Sequence, residues 1–79
     1  MDEKQIFEEL AALIREYFDD ESLEITPETG PETIEDWDSL AHIGLIVSVE
    51  KHFGVKFPMN EVLTLKTVGK LRDAVKRLL

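Results

Sequence analysis

A chain of 79 residues with 43% apolar and 33% charged side chains is expected to fold as a single small domain, residues 1–79. It contains no cysteine, which excludes disulfides and thiolate metal sites, and its net charge of −8 argues against binding to nucleic acid phosphates. No apolar stretch is long enough to span a membrane and the first residues do not resemble a signal peptide, so the sequence predicts a cytoplasmic protein.

The charge is distributed unevenly along the chain. Residues 1–50 hold fifteen Asp or Glu and two Lys or Arg, a net charge of −13. Residues 51–79 hold two acids and seven bases, a net charge of +5. An acidic surface favours basic protein partners, although the same charge could serve only to keep a small domain soluble.

The first predicted element is an amphipathic helix over residues 3–18. Its apolar side chains recur at steps of three and four residues, which places them on one face of a helix. Early acids and the later Arg15 suit the helix dipole. The apolar residues are Ile6, Phe7, Leu10, Leu13, Ile14, Tyr17 and Phe18.

A long connection, residues 19–38, follows the first helix. Pro27, Gly30 and Pro31 exclude a continuous helix here. Because loops of this length in compact domains usually have a function or are anchored, some of its apolar side chains should reach the core. The expected anchors are Leu23, Ile25, Ile34 and Trp37.

The second predicted helix covers residues 39–53. Asp38 and Ser39 at its start are residue types that cap helices, and Gly54 suits the left-handed position that ends one. A short helix around Met59–Thr64 should follow. Apolar residues recur at helical spacing in this segment: Leu40, Ile43, Ile46, Val47 and Phe53, with Leu45 and Val49 widening the stripe.

The last predicted helix begins at a Thr67 N-cap and runs to the C-terminus. No alternating pattern requires a strand, so the expected fold class is all-α: a small four-helix bundle with a long loop between helices 1 and 2 and a short third helix. The apolar stripe of the last helix is Val68, Leu71, Val75, Leu78 and Leu79. The expected core includes Phe7, Leu10, Ile46, Val47, Phe53, Leu71 and Val75.

Ser39, within the segment DWDSL, has three interpretations. It could cap the second helix. It could be a nucleophile beside His42, its i,i+3 neighbour, but no G-x-S-x-G turn is present and a small bundle has little room for a pocket. His42 and His52 are instead expected at the surface or its boundary. It could also be an attachment point, where a phosphate ester would meet the free N–H groups of a helix start and Asp38 could engage the modifying enzyme.

Further motifs accompany the D-S-L triplet of residues 38–40. Glu50 and Phe53 form E-x-x-F, Pro58 follows soon after, and Thr67 with Val68 opens the last helix. With these motifs the chain resembles an acyl carrier protein, from its first amphipathic helix to the final TVGKLRDAVKRLL.

The resemblance implies a cofactor, a role and partners. Ser39, with Asp38 and Leu40 as its motif neighbours, would carry 4′-phosphopantetheine transferred from coenzyme A by a phosphopantetheinyl transferase. The arm's thiol would hold acyl groups as thioesters, so the cofactor would supply the sulfur that the chain lacks. The carrier would catalyse nothing and bind no metal. It would act as a monomer, delivering acyl groups to loading and accepting enzymes with basic docking patches.

The chain also departs from the fatty acid carriers of that family. Gly44 stands where an acid is common, Lys51 and Lys56 lie near the end of the second helix, and Trp37 replaces a small residue before D-S-L. The resemblance implies partner enzymes of fatty acid, polyketide, peptide or lipid-modification biosynthesis. The departures predict a specialised carrier, serving a polyketide, peptide, lipid-modification or aminoacyl pathway. The alternative is a non-carrier helical interaction module in which Ser39 is only a helix cap.

Overall fold

The computed structural model describes all 79 residues, which form four α-helices and no strand. The prediction of an all-α fold with a long first loop and a short third helix is therefore confirmed. None of these helices combines the length and apolarity needed to cross a membrane. The helices are α1, Glu3–Tyr17; α2, Ser39–Phe53; α3, Met59–Val62; and α4, Val68–Leu78.

Local signals set the ends of the longer helices. Asp2, Asp38 and Thr67 each accept a hydrogen bond from the backbone N–H three residues further on, which caps α1, α2 and α4. Gly54 ends α2 with a φ of 68°, a conformation that glycine adopts without strain. The predicted caps Thr67 and Gly54 are confirmed.

The third helix is shorter than predicted and weakly anchored. It ends at Val62, two residues before the predicted Thr64, since the Thr64 hydroxyl closes the end by donating to the Glu61 carbonyl. The chain then turns so that Leu65 enters the core. No residue of α3 itself is buried.

The core lies where α1 packs against α4 and α2. Leu10, Ile46, Leu71 and Val75 are buried there as predicted. Phe7 and Phe53 are only half-buried and pack at its edge. Val47 is wrong as a core prediction, because its side chain is 43% exposed. The buried positions of α2 are His42, Leu45, Ile46 and Val49, and their spacing turns Val47 outward.

The long loop, residues 18–38, is joined to the start of α4. Val68 N–H donates to the Thr29 carbonyl and Gly69 N–H donates to the Pro27 carbonyl, each at 2.9 Å. Three predicted loop anchors are buried and the fourth, Leu23, is half-buried; the buried ones are Ile25, Ile34 and Trp37. The loop is therefore held by backbone hydrogen bonds to the start of α4 and by side chains buried in the core. These contacts fix the position of the D-S-L segment at the start of α2.

Candidate functional site

Ser39 is the first residue of α2, and its side chain is exposed. Its hydroxyl makes no hydrogen bond in the structure. The N-cap is the preceding residue, Asp38, whose Oδ1 accepts from the Ala41 backbone N–H at 2.8 Å. The interpretation of Ser39 as the helix cap is therefore wrong. The capping task falls to a neighbour, which leaves a serine oxygen free at the positive end of a helix.

His42 is buried, with only 4% of its surface exposed, so its expected place at the surface is wrong. Trp37 Nε1 lies 3.0 Å from His42 Nδ1, and the Val62 carbonyl oxygen lies 2.8 Å from His42 Nε2. Because the indole N–H can only donate and the carbonyl can only accept, Nδ1 accepts and Nε2 carries the proton. The two rings also stack, with centroids 6.0 Å apart.

These contacts decide whether His42 can activate Ser39. The lone pair on Nδ1 already accepts from Trp37 and the proton on Nε2 is already donated to Val62. A general base needs a free nitrogen within reach of the hydroxyl it deprotonates. His42 therefore has a structural role, and the arrangement does not support a serine–histidine nucleophile.

The sequence contains an indication of the hydrogen bond between Trp37 and His42. A buried indole usually finds an acceptor for its N–H, and His42 is five residues from Trp37, in step with the buried stripe of α2. The other histidine behaves as predicted. His52 is exposed and its Nε2 lies 2.7 Å from Glu9 Oε1, which links α2 to α1 at the surface.

A groove with a volume of about 630 Å³ opens beside Ser39. This volume lies within the range of about 300 to 1,000 Å³ that is typical of small-molecule sites. Carboxylates lie on the loop side of its lining and two lysines on the α4 side, but more of the exposed lining surface is apolar than polar. The lining residues are Glu28, Gly30, Pro31, Glu32, Trp37, Asp38, Ser39, His42, Leu63, Lys66, Thr67 and Lys70. A polar chain attached to Ser39 could rest along this groove.

Leu40, the remaining residue of the D-S-L triplet, points into solvent on the outer side of α2. Other large apolar side chains on α2 and after it are exposed as well: Ile43, Val47, Met59 and Leu63. The site thus combines a free hydroxyl, a groove with charged side chains on both sides, and an exposed apolar surface. No group of three or more His, Cys, Asp or Glu side chains is placed to hold a metal ion.

Two residues that bear on the charge of α2, Glu50 and Gly44, have structural roles. The Glu50 carboxylate accepts a hydrogen bond from Phe57 N–H at 2.8 Å, so it stabilises the turn after α2. Gly44 lies under the ring of Tyr17, and a β-carbon there would overlap the Tyr17 hydroxyl. A side chain at Gly44 would therefore require the Tyr17 side chain to move.

Comparison with known sequences identifies the family. The family model described as "Phosphopantetheine attachment site" matches residues 8–75. The acyl carrier protein of Acidothermus cellulolyticus is 33% identical over 75 residues, covering 95% of this chain and 89% of that protein. The meromycolate extension acyl carrier protein of Mycolicibacterium smegmatis is 33% identical over 76 residues, covering 96% and 77%. The second of these relatives is named for one process, meromycolate extension, which agrees with the prediction of a specialised carrier.

Comparison with solved structures gives the same result. The solution structure of the holo acyl carrier protein from Geobacter metallireducens superposes with a TM-score of 0.83 at 43% identity, covering 91% of this chain and 83% of that one. The four helices and the long first loop are therefore the architecture of a known carrier. This chain belongs to the acyl carrier proteins, the family defined by a covalently attached phosphopantetheine.

Proposed function

We propose that Ser39 is the attachment point of 4′-phosphopantetheine and that the protein holds acyl groups as thioesters on the terminal thiol of this arm. The observation that carries the proposal is the exposed Ser39 hydroxyl, free of hydrogen bonds because Asp38 caps α2 in its place. The chain has no cysteine, so the cofactor supplies the sulfur.

The surroundings of Ser39 suit a phosphodiester. The first backbone N–H groups of α2 lack an intrahelical partner, and the helix dipole places partial positive charge beside them. In the transfer step, Ser39 Oγ forms a bond to the phosphorus next to the pantetheine of coenzyme A. The pyrophosphate P–O bond breaks and adenosine 3′,5′-bisphosphate leaves. The proton of the hydroxyl passes to a base on the transferase, since both nitrogens of His42 are occupied.

The protein then acts as a carrier and not as a catalyst. Its partners are a phosphopantetheinyl transferase and acyl-loading and acyl-accepting enzymes of fatty acid, polyketide, peptide or lipid-modification biosynthesis. Exposed carboxylates near Ser39, at Glu32, Glu35 and Asp36, favour basic docking patches on these enzymes. We propose that residues 1–79 form a single carrier domain that works as a monomer in the cytoplasm.

Mass spectrometry tests the attachment. The apo-protein is incubated with coenzyme A and a broad-specificity transferase, and we expect the mass of one phosphopantetheinyl group, located on Ser39 by fragmentation. Ser39→Ala should abolish the modification while circular dichroism shows retained helicity. The matched control is Ser48→Ala on the same helix, which should be modified like the unaltered protein. Modification at another residue, or none with several transferases, would exclude the proposal.

A further inference from the structure

An apolar stripe runs along the outside of α2, starting next to Ser39. Leu40 and Ile43 are 83% and 47% exposed, and Val47 continues the stripe at the next turn. Lys51, four residues further on, extends the same side of the helix and is also exposed. We call the surface formed by Leu40, Ile43, Val47 and Lys51 the outer face of α2. Contiguous exposed apolar side chains beside an attachment point indicate a protein contact surface.

The outer face contains no carboxylate. Glu50, the one acid within α2, is turned toward the following segment, where it accepts from Phe57 N–H. The side chains of Lys51, at the C-terminal end of this face, and of Lys56, in the segment after α2, make no hydrogen bond or ion pair in the structure. His52 next to them is already paired with Glu9. The end of α2 therefore presents free positive charge.

The segment that leads into α2 is negative. Glu35, Asp36 and Asp38 lie just before α2 and are exposed. From this segment along α2 the surface is thus acidic, then apolar over Ile43 and basic at Lys51, whereas Lys66 and Lys70 lie in the groove and not on α2. A uniformly basic patch on a partner would match the first part and repel the last, because like charges facing each other across an interface oppose association.

We infer that this protein docks on enzymes whose contact surface is bipolar: basic where it meets Glu35 and Asp36, apolar over Ile43 and Val47, and carboxylate-bearing where it meets Lys51 and Lys56. The inference rests on the proposed function, since a partner must approach the arm on Ser39. It assigns Lys51 and Lys56 as residues that determine partner specificity, by rejecting enzymes with an all-basic docking patch.

Charge reversal tests the inference with a defined probe, a malonyl transacylase of bacterial fatty acid synthesis that has a basic docking patch. The unaltered protein is compared with the double variant Lys51→Glu/Lys56→Glu. The control variant, Lys4→Glu/Lys76→Glu, has the same net charge but places it on α1 and α4. Gly44 is not altered, because a side chain there would displace Tyr17. All proteins are first converted to the phosphopantetheinylated form and weighed.

The expected result is a KM for the α2 variant at least about threefold lower than for the unaltered protein, with kcat little changed, since rim charges act mainly on association. The control variant should stay within about twofold of the unaltered protein, because its charges lie away from the interface. An unchanged KM for the α2 variant, or an equal fall for the control, would overturn the inference.

A second arm tests the carboxylate directly. Basic residues of the transacylase patch are replaced by Glu, and the altered enzyme should prefer the unaltered carrier over Lys51→Glu/Lys56→Glu. Equal use of the two carriers would overturn the assignment of an acidic partner surface. Failure is distinguishable from failure of the proposed function, since the mass measured before the kinetics shows whether Ser39 carries the arm. A carrier that takes up no arm would overturn the proposed function and this inference with it.

Discussion

Two adjacent side chains at the start of α2 differ in their contacts, and in the proposed function they have different roles. Asp38 accepts the Ala41 N–H and caps the helix, whereas the Ser39 hydroxyl has no hydrogen bond within the protein. If the serine were the cap, its hydroxyl would accept from the helix and its modification would compete with that bond. With Asp38 in this role, attachment at Ser39 leaves the helix start intact.

This difference in contacts predicts unequal stability effects at neighbouring positions. Asp38→Ala should lower the free energy of unfolding by about 1 kcal/mol, the usual cost of losing an N-cap. Ser39→Ala should change it by less than about 0.5 kcal/mol, as expected for an exposed side chain without partners. Urea denaturation of the two apo-variants gives both values, with Thr67→Ala as a reference for cap loss at α4. An equal loss for Asp38→Ala and Ser39→Ala would contradict the assignment of the cap.

For single residues, the sequence predicts the position of those whose place in the fold depends on local signals. Caps and apolar periodicity are local signals, and they correctly predict a helix start at Asp38, Ser39 and Leu40. They do not predict the burial of His42, which depends on two partners outside α2, the indole of Trp37 and the carbonyl of Val62. A polar residue enters a core only when such partners are present, and the sequence does not show how the loop folds back to supply them.

Among the elements, α3 depends most on its neighbours. It has four residues, no buried side chain and no side-chain cap. A helix this short is not stable by itself. Two contacts attach it to the bundle: the Val62 carbonyl to His42, and the Glu61 carboxylate to Arg77, whose Nη2 lies 2.9 Å and 2.8 Å from the two carboxylate oxygens. The sequence does not predict where α3 ends, because the contact that closes it, from the Thr64 hydroxyl to the Glu61 carbonyl, is not marked by a glycine as the end of α2 is by Gly54.

The two histidines allow a matched test of this dependence. His42→Ala leaves the Trp37 N–H and the Val62 carbonyl without partners, and an unpaired buried group costs about 1–3 kcal/mol. We expect a loss of about 2–4 kcal/mol in the free energy of unfolding and faster amide exchange of residues 61–65 than in the unaltered protein. His52→Ala removes only an exposed pair with Glu9 and should cost less than about 1 kcal/mol.

Hydrogen exchange followed by NMR at fixed pH separates local from global opening. The change in residues 61–65 is measured relative to the slowest amides of α1 and α4, which report global unfolding. Exchange that rises equally in all helices, with no additional increase in α3, would show that His42 stabilises the bundle as a whole and does not specifically attach α3.

Across the whole molecule, the position of the long loop between α1 and α2 is the feature that the sequence predicts least well, and the charge of this loop is the one that it predicts best. The backbone bonds from Val68 and Gly69 to the loop join segments about forty residues apart, and no local pattern announces them. The charge, in contrast, is read directly: residues 19–38 contain nine acids and no base. The hydroxyl and N–H of Ser22 both donate to Asp20, which lowers the pKa of that carboxyl.

Little in the structure offsets this negative charge. Of three ion pairs, only Glu9 with His52 joins residues 1–50 to the more basic remainder of the chain. The other two pairs lie within residues 51–79. Folding therefore brings acids of the loop together without neutralising them, and their repulsion should lower stability most where it is least screened.

Salt should consequently stabilise the fold. Between about 10 mM and about 150 mM sodium chloride the Debye length falls from about 30 Å to about 8 Å, which screens repulsion among the exposed acids. We expect Tm to rise by about 3 °C or more, since about 1 kcal/mol shifts the Tm of a domain this size by about 4–8 °C. Glu24→Gln/Glu35→Gln removes two unpaired loop charges and should reduce the rise, whereas Lys4→Gln, which makes the protein more negative, should increase it. Differential scanning calorimetry measures all three. A Tm that falls with salt would mean that attraction between acidic and basic surfaces outweighs repulsion within the loop.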